Sequence, residues 1–357
     1  MSDINGYLIV AACAAIVTFA VTPFVMSLAR LKNWMAQPDP RKVHTTPTPD
    51  IGGVALLVGI ITALLLAWQM DRFGPLFDGS SEMLGVAIAA IAICAIGFID
   101  DVREISAPAK VAGTAGVGMV LVWAGVTMFY FRVPYFDVFV LSNDWIPLVT
   151  ILWLLVMTEA INLIDGLDGL ATGIVAIASA AFFLYSRHLG DLGLLAEPNI
   201  GPLVAAVTFG ACIGFLPHNF NPAKIFMGDV GSGYLGIVVG GLSLMAAKQQ
   251  ASLLLVWIIL LAVFVSDATI TLIRRLLRKQ KPHVAHRSHA YQHLAIRFNS
   301  HSKVALIILS INVVWLFPIA FLVANKQLAG TTGVVVAYVP LLVAALALNA
   351  GKDSVTN

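Results

Sequence analysis

Three short acidic segments carry the residues best able to do chemistry in this chain: Phe98-Ile-Asp-Asp-Val-Arg-Glu104, Asn162-Leu-Ile-Asp-Gly-Leu-Asp-Gly169 and Phe226-Met-Gly-Asp-Val-Gly-Ser232. Each ends or begins a long hydrophobic run, and carboxylates near a bilayer are costly enough to need a reason. Hard carboxylate and amide oxygens at turns suit Mg²⁺ held together with phosphate groups. The chemistry they point to is a Mg²⁺ and diphosphate site at a membrane surface.

The three segments differ in how specific they are. Asp100 and Asp101 are adjacent, and paired carboxylates hold protons more tightly unless a cation shares the site. Alone, the pair reads equally well as a solvated helix end, with Arg103 and Glu104 as ordinary interfacial charge. The run Asn162-x-x-Asp165-Gly166-x-Asp168-Gly169 says more. Its glycines open backbone angles closed to other residues and let a ligand approach. Its Asp and Asn side chains can cap the following helix, but a cap needs one such group and this turn supplies three. In the stretch from Asn219 to Gly233, Lys224 offers a point charge to a phosphate. Phe226 offers a face for a base, or an anchor at the membrane edge. Asp229, between Gly228 and Gly231, presents an uncrowded carboxylate to a metal.

Two further loops add cations and imidazoles. Ala285-His-Arg-Ser-His-Ala-Tyr-Gln-His293 places His286, His289 and His293 at helical offsets of three and four. Zinc is conceivable there, but the loop has no cysteine and is densely basic. Cations with imidazoles, Arg287 among them, suit anionic phosphates better. Arg274 to Lys281 reads instead as interfacial charge on anionic lipid. The first loop contributes Lys42 and His44, which could close over a nucleotide. Asp267 and Glu159 lie within apolar runs as candidates to support the site.

An apolar frame must position these segments. The 357 residues are 59% hydrophobic and 11% charged, where a soluble domain carries about 25% charged residues. With roughly 20 apolar residues per span, the pattern predicts an all-α, polytopic integral membrane protein of about eleven helices. They fall near 5–29, 51–69, 83–99, 111–128, 146–161, 169–186, 201–217, 233–247, 252–273, 304–324 and 332–349. The chain reads as one membrane domain over 1–357, with loops near 30–50, 100–110, 162–168, 218–232 and 274–303 on one side. Sixteen of the 21 Lys and Arg residues gather on that side. The positive-inside rule then makes it cytoplasmic, with a periplasmic N-terminus and a cytoplasmic C-terminus. All three acidic motifs share that face. The first run lacks a signal peptide's basic n-region and cleavage site and reads as a retained helix. Cys13, Cys94 and Cys212 lie in apolar runs and suggest no disulfide framework. The rival class is a secondary transporter of an anionic solute, whose site belongs near the bilayer midplane. Acids gathered at one face, without an internal repeat, weigh against it.

Taken together, the motifs resemble the polyprenyl-phosphate N-acetylhexosamine-1-phosphate transferase family. The resemblance runs from the loop at Lys42 to His293 and matches the Asp pair, the Asn-x-x-Asp-Gly-x-Asp-Gly run and Phe-Met-Gly-Asp-x-Gly-Ser in order and spacing. It implies transfer of a sugar 1-phosphate from a UDP-N-acetylhexosamine to undecaprenyl phosphate, with Mg²⁺ (or Mn²⁺ in its place) and release of UMP. It also implies a location in the bacterial inner membrane among membrane lipids, and allows a homodimer. No nucleic-acid partner is expected. The phospho-MurNAc-pentapeptide translocase branch carries Pro-Ile-His-His-His-Phe where this chain reads Ala285-His-Arg-Ser-His-Ala-Tyr-Gln292. Enterobacterial-antigen initiators carry two histidines where Tyr291 and Gln292 stand. The resemblance is therefore closer to O-antigen initiators. The translocase also has a lysine soon after its Asp pair, and Lys110 is the candidate to supply that charge here.

The expected roles follow. Asp229 and Asp165 are the expected metal ligands. Asp100 would position the lipid phosphate or accept its proton, with Asp101 in support, and Asn162 and Asp168 would orient the nucleotide or the metal's surroundings. Lys42, His44, Asn219, Lys224, Phe226, His286, Arg287 and His289 are the expected substrate-binding residues.

Overall fold

Within hydrocarbon every backbone N–H and C=O needs an internal partner, and a helix supplies them inside one segment. A computed structural model of the chain describes residues 4–37, 46–77, 81–103, 105–132, 138–193, 199–280 and 288–352. The helices are α1 (Ile4–Lys32), α2 (Gly53–Trp68), α3 (Gly74–Phe77), α4 (Ser81–Arg103), α5 (Ala107–Trp123), α6 (Ile146–Ile164), α7 (Leu170–Asp191) and α8 (Gly201–Asn219). They continue with α9 (Gly228–Gln249), α10 (Ser252–Leu260), α11 (Ala262–Leu277), α12 (Ala290–Phe298), α13 (His301–Ile311), α14 (Phe317–Ala324) and α15 (Gly330–Ala347). Two short antiparallel pairs join β1 (Met35–Ala36) to β2 (Thr48–Pro49) and β3 (Tyr130–Arg132) to β4 (Val138–Val140).

All eleven predicted stretches are helical, but fewer are single straight spans. Among the described residues, eight helical stretches are long and apolar enough to cross a membrane, or up to ten if two bent pairs each count as one. One pair bends by 95° between α2 and Asp71–Phe77, the other by 74° between α10 and α11. The predicted fourth span, 111–128, is displaced: α5 runs from Ala107 to Trp123. Gly125, at φ +87°, ends it, with Gly125 N bonded to Val122 O and Val126 N to Leu121 O, the glycine-centred stop that satisfies a helix's last carbonyls. Two other boundaries move in ways that matter for the site. α9 begins at Gly228 rather than near 233, so Asp229 lies in its first turn. α6 runs to Ile164 rather than 161, which puts Asn162 in its last turn.

The centre of the bundle is α9, buried along nearly its whole length, with α7 and α8 mostly buried beside it. Small residues let α9 pack backbone to backbone, as membrane helices do where apolar surfaces alone give no driving force. A Cβ at Gly236, for example, would meet the backbone of Thr158 on α6. A polar cross-link adds to that contact, Trp153 Nε1 donating to Ser243 Oγ at 2.8 Å. The outer faces show the opposite pattern. Phe24, Leu31, Val156 and Val343 stand exposed, an arrangement suited to lipid and unsuited to water.

Candidate active site

The site is built where α4 and α9 touch most closely. A Cβ at Gly97 would collide with the backbone of Asp229 and Val230, so glycine alone lets the end of α4 reach the start of α9. That approach brings Asp101 under α9's first turn. Its Oδ1 accepts from Asp229 N at 2.8 Å and its Oδ2 from Val230 N at 3.1 Å. The first N–H groups of a helix lack partners within it, and the Asp101 carboxyl oxygens supply two of those partners. Gly228 makes the same turn possible, at φ +66° and with no room for a Cβ beside Asp50 O and Asp101 Oδ2. Gly97→Val is expected to force the helices apart, lowering stability by about 1–3 kcal/mol and abolishing turnover. An unchanged melting temperature would show that α4 can yield at this contact.

Asp100 faces a different partner. The short α4–α5 turn, in which Ile105 N donates to Asp100 Oδ1 at 2.9 Å, carries Lys110 back over the cluster. Lys110 Nζ lies 2.9 Å from Asp100 Oδ2 and 2.6 Å from Asp229 Oδ1. One ammonium thus bridges carboxylates contributed by two helices.

The first loop is tied to the same place by backbone bonds. Phe226 N donates to Pro49 O at 2.8 Å, Gly52 N to Phe226 O at 2.9 Å and Gly53 N to Met227 O at 2.8 Å. This ladder lays half-buried Asp50 beside Gly228. Its charge reaches both Asp101 and Asp165. Sequence reading did not single out Asp50. Its position directly before Ile51-Gly52-Gly53 was the available signal, since Asp165, Asp168 and Asp229 also adjoin glycines.

The turn between α6 and α7 completes the cluster. Asp165 caps α6, and Gly169 at φ +74° starts α7. Loss of solvation, then the charges of Asp50, Asp229, Asp101 and Asp168, hold the Asp165 carboxyl well above the ordinary carboxylate range. Asn162 Oδ1 accepts from Ser232 Oγ at 3.3 Å, which links this turn to α9. Asp168 turns to the neighbouring loop, where its Oδ2 accepts from Asn221 Nδ2 at 2.8 Å and Ala223 N at 3.1 Å.

The other expected residues divide. Asn219 is buried, accepting from Thr172 Oγ1 at 2.9 Å and donating to Ile225 O at 3.1 Å. It holds the 219–228 loop in shape, so the substrate contact expected of it gives way to a positioning one. His289 is also buried, with Nδ1 3.4 Å from Asp267 Oδ1, and it caps α12. The phosphate clamp expected of it is not what this geometry offers. Lys224 is exposed, its backbone N bonded to His218 O, and Phe226 is half-buried at the ladder. Glu159 is exposed on α6. Lys42, His44, His286 and Arg287 lie outside the described residues. The basic stretch after α11 also differs from a purely lipid-facing one. Arg274 Nη1 donates to Ala350 O at 2.8 Å, Arg278 Nη1 to Gly351 O at 3.4 Å, and Arg275 is buried.

The donor set suits a hard divalent cation. Among the described residues no three His, Cys, Asp or Glu side chains converge as a closed metal site. Mg²⁺ does not require one, since it is commonly held by one or two carboxylates together with substrate phosphates. Asp229 and Asp165, near enough for their charges to interact, fit that mode.

The arrangement is a polytopic all-α membrane protein with an acidic cluster and one bridging lysine at the ends of its helices. Residues 83–247 match the model for glycosyl transferase family 4. A Bacillus subtilis protein named a probable undecaprenyl-phosphate N-acetylglucosaminyl 1-phosphate transferase is 33% identical over 298 residues, covering 83% of this chain and 79% of that one. The decaprenyl-phosphate N-acetylglucosaminephosphotransferase of Mycolicibacterium smegmatis is 35% identical over 328 residues, covering 86% and 79%. A phospho-N-acetylmuramoyl-pentapeptide-transferase of Mycobacterium bovis is 33% identical over 300 residues, covering 73% and 81%. The chain belongs to glycosyl transferase family 4. That membership sets the transporter reading aside.

Proposed function

We propose that this protein transfers an N-acetylhexosamine 1-phosphate from a UDP-sugar to undecaprenyl phosphate, releasing UMP, at the cytoplasmic face of a bacterial inner membrane. The observation that carries the reading is the convergence of Asp50, Asp101, Asp165 and Asp229, with Lys110 bridging Asp229 to Asp100. Relatives named for N-acetylglucosamine transfer make UDP-N-acetylglucosamine the first donor to try. The product, an undecaprenyl-diphosphate-linked sugar, would start O-antigen or a related envelope polysaccharide.

Two anions must meet here, and in a low-dielectric interface their repulsion is large. An oxygen of the lipid phosphate forms a bond to the sugar-linked phosphorus, and the oxygen bridging the two donor phosphates leaves with UMP. Lys110 carries positive charge to where the two phosphates approach. Asp100, held by Lys110 and the Ile105 amide, is placed to orient the attacking lipid phosphate and take up its proton. Asp101 keeps α9's first turn, and with it Asp229, in place. Mg²⁺, held by Asp229 and Asp165, would neutralise charge on the donor diphosphate.

The test is UMP release by purified protein in detergent with undecaprenyl phosphate, Mg²⁺ and a panel of UDP-N-acetylhexosamines. Release that needs the lipid, one donor and the cation is the expected result. No release with any donor from folded protein would sink the reading. Asp100→Asn is expected to cut turnover ~10²–10³-fold while leaving membrane insertion intact, and normal turnover would remove Asp100 from the mechanism.

A further inference from the structure

Below the acid cluster, one buried carboxylate outside it organises a short helix. Asp267 on α11 is 6% exposed. It accepts from Ala290 N at 2.8 Å, Tyr291 N at 3.2 Å and Thr271 Oγ1 at 3.1 Å. The free N–H groups of α12's first turn are thereby satisfied, and the helix is fixed in rotation and depth against α11. The His289 and Tyr291 rings stack, 5.4 Å apart and 12° from parallel.

Held this way, Tyr291 reaches the acidic turn. Its hydroxyl donates to Leu163 O at 3.2 Å, and a Cβ at Gly166 would come within 2.6 Å of that oxygen. Leu163 belongs to the last turn of α6, whose carbonyls have no acceptor role left inside the helix. The residues beyond it include two glycines, which restrain the backbone least. Tyr291 thus bonds the backbone before Asp165 and lies close against Gly166 after it.

We propose that Tyr291 is a positioning residue for the acidic turn: anchored by Asp267, its hydroxyl holds the backbone from Leu163 to Gly166 and so aims the Asp165 carboxylate into the cluster. The kinetic part of this claim rests on the proposed reaction; the structural part does not. It also gives a reason for a buried acid on α11 whose partners lie on α11 and α12.

Tyr291→Phe, in the full-length protein in detergent, removes one hydroxyl and keeps the ring. Amides of residues 163–169 are expected to exchange hydrogen faster, while those at the end of α4 and the start of α9 keep their rates. The Mg²⁺ concentration for half-maximal turnover is expected to rise ~10-fold, with KM for the donor unchanged at saturating Mg²⁺. Unaltered exchange at 163–169 overturns the proposal. Faster exchange throughout, with turnover lowered equally at every Mg²⁺ concentration, also overturns it, because general loosening gives that pattern. If Tyr291→Phe does not yield monodisperse protein, Asp267→Asn carries the same readouts, since it weakens the hold on Tyr291 without entering the acidic turn. A wild-type protein that turns over no donor would refute the proposed reaction, and the exchange measurement would still decide the positioning.

Discussion

Asp165→Asn is expected to make the cation-free protein more stable and the enzyme nearly inert. Burial and four neighbouring acids raise the Asp165 carboxyl well above its ordinary range, so folding favours its protonated form. A group raised in this way contributes stability that is full below the ordinary carboxylate range and is lost as pH rises toward the raised value. Asparagine copies the neutral form and removes that loss. Melting temperatures measured in EDTA should therefore coincide for the two proteins in acid and diverge as pH rises, with the variant higher. UMP release should fall ~10²–10³-fold, because the amide cannot carry the negative charge a cation requires. Parallel melting curves across pH would mean that Asp165 is not under electrostatic strain. Such an exchange of stability for activity is what a site of gathered like charges predicts.

Lys110→Met should be nearly as damaging, for the opposite electrostatic reason. The Lys110 ammonium lies 2.9 Å from Asp100 and 2.6 Å from Asp229. Methionine keeps the length of the stem and leaves two carboxylates facing each other without a cation. Turnover is expected to fall ~10²–10³-fold. Lys110→Arg should recover only part of it, because a planar fork cannot reproduce a point charge seated between oxygens from two helices. The check is a comparison of UMP release by the three proteins at matched Mg²⁺. Near-normal turnover in Lys110→Met would show that the bridge serves folding rather than phosphate transfer.

The sequence showed which acids belong together more clearly than what each one does. Order and spacing of the Asp pair, the Asn-x-x-Asp-Gly run and the Gly-Asp-Val-Gly turn were readable because each interrupts a long apolar stretch. Asp50 escaped notice because its loop is dominated by prolines and positive charge, and the ladder from Pro49 to Gly53 that places it is made of backbone atoms. Gly97 escaped for a related reason: it lies in mid-helix, and only the approach of α9 reveals why no side chain fits. Asn219 and His289 were expected to bind substrate, but residue type does not reveal that both are buried and bonded to protein. Span limits suffered similarly. An apolar count sees no difference between α5 and a longer helix, whereas the positive φ at Gly125 ends it.

The α4–α5 turn has a consequence for how the protein is made. Asp101 and the α9 amides that hold it are 128 residues apart in the chain, so during synthesis the acids reach the membrane long before those amides exist. Lys110 comes with them, on the next helix of the same hairpin. The pair of helices can therefore enter the bilayer with the charge on Asp100 already matched. A nascent chain halted between α4 and α5 would present two adjacent acids to the lipid without that cation, whereas one halted after α5 would not. The unit that the insertion machinery must handle at this point is thus the hairpin, not the single helix.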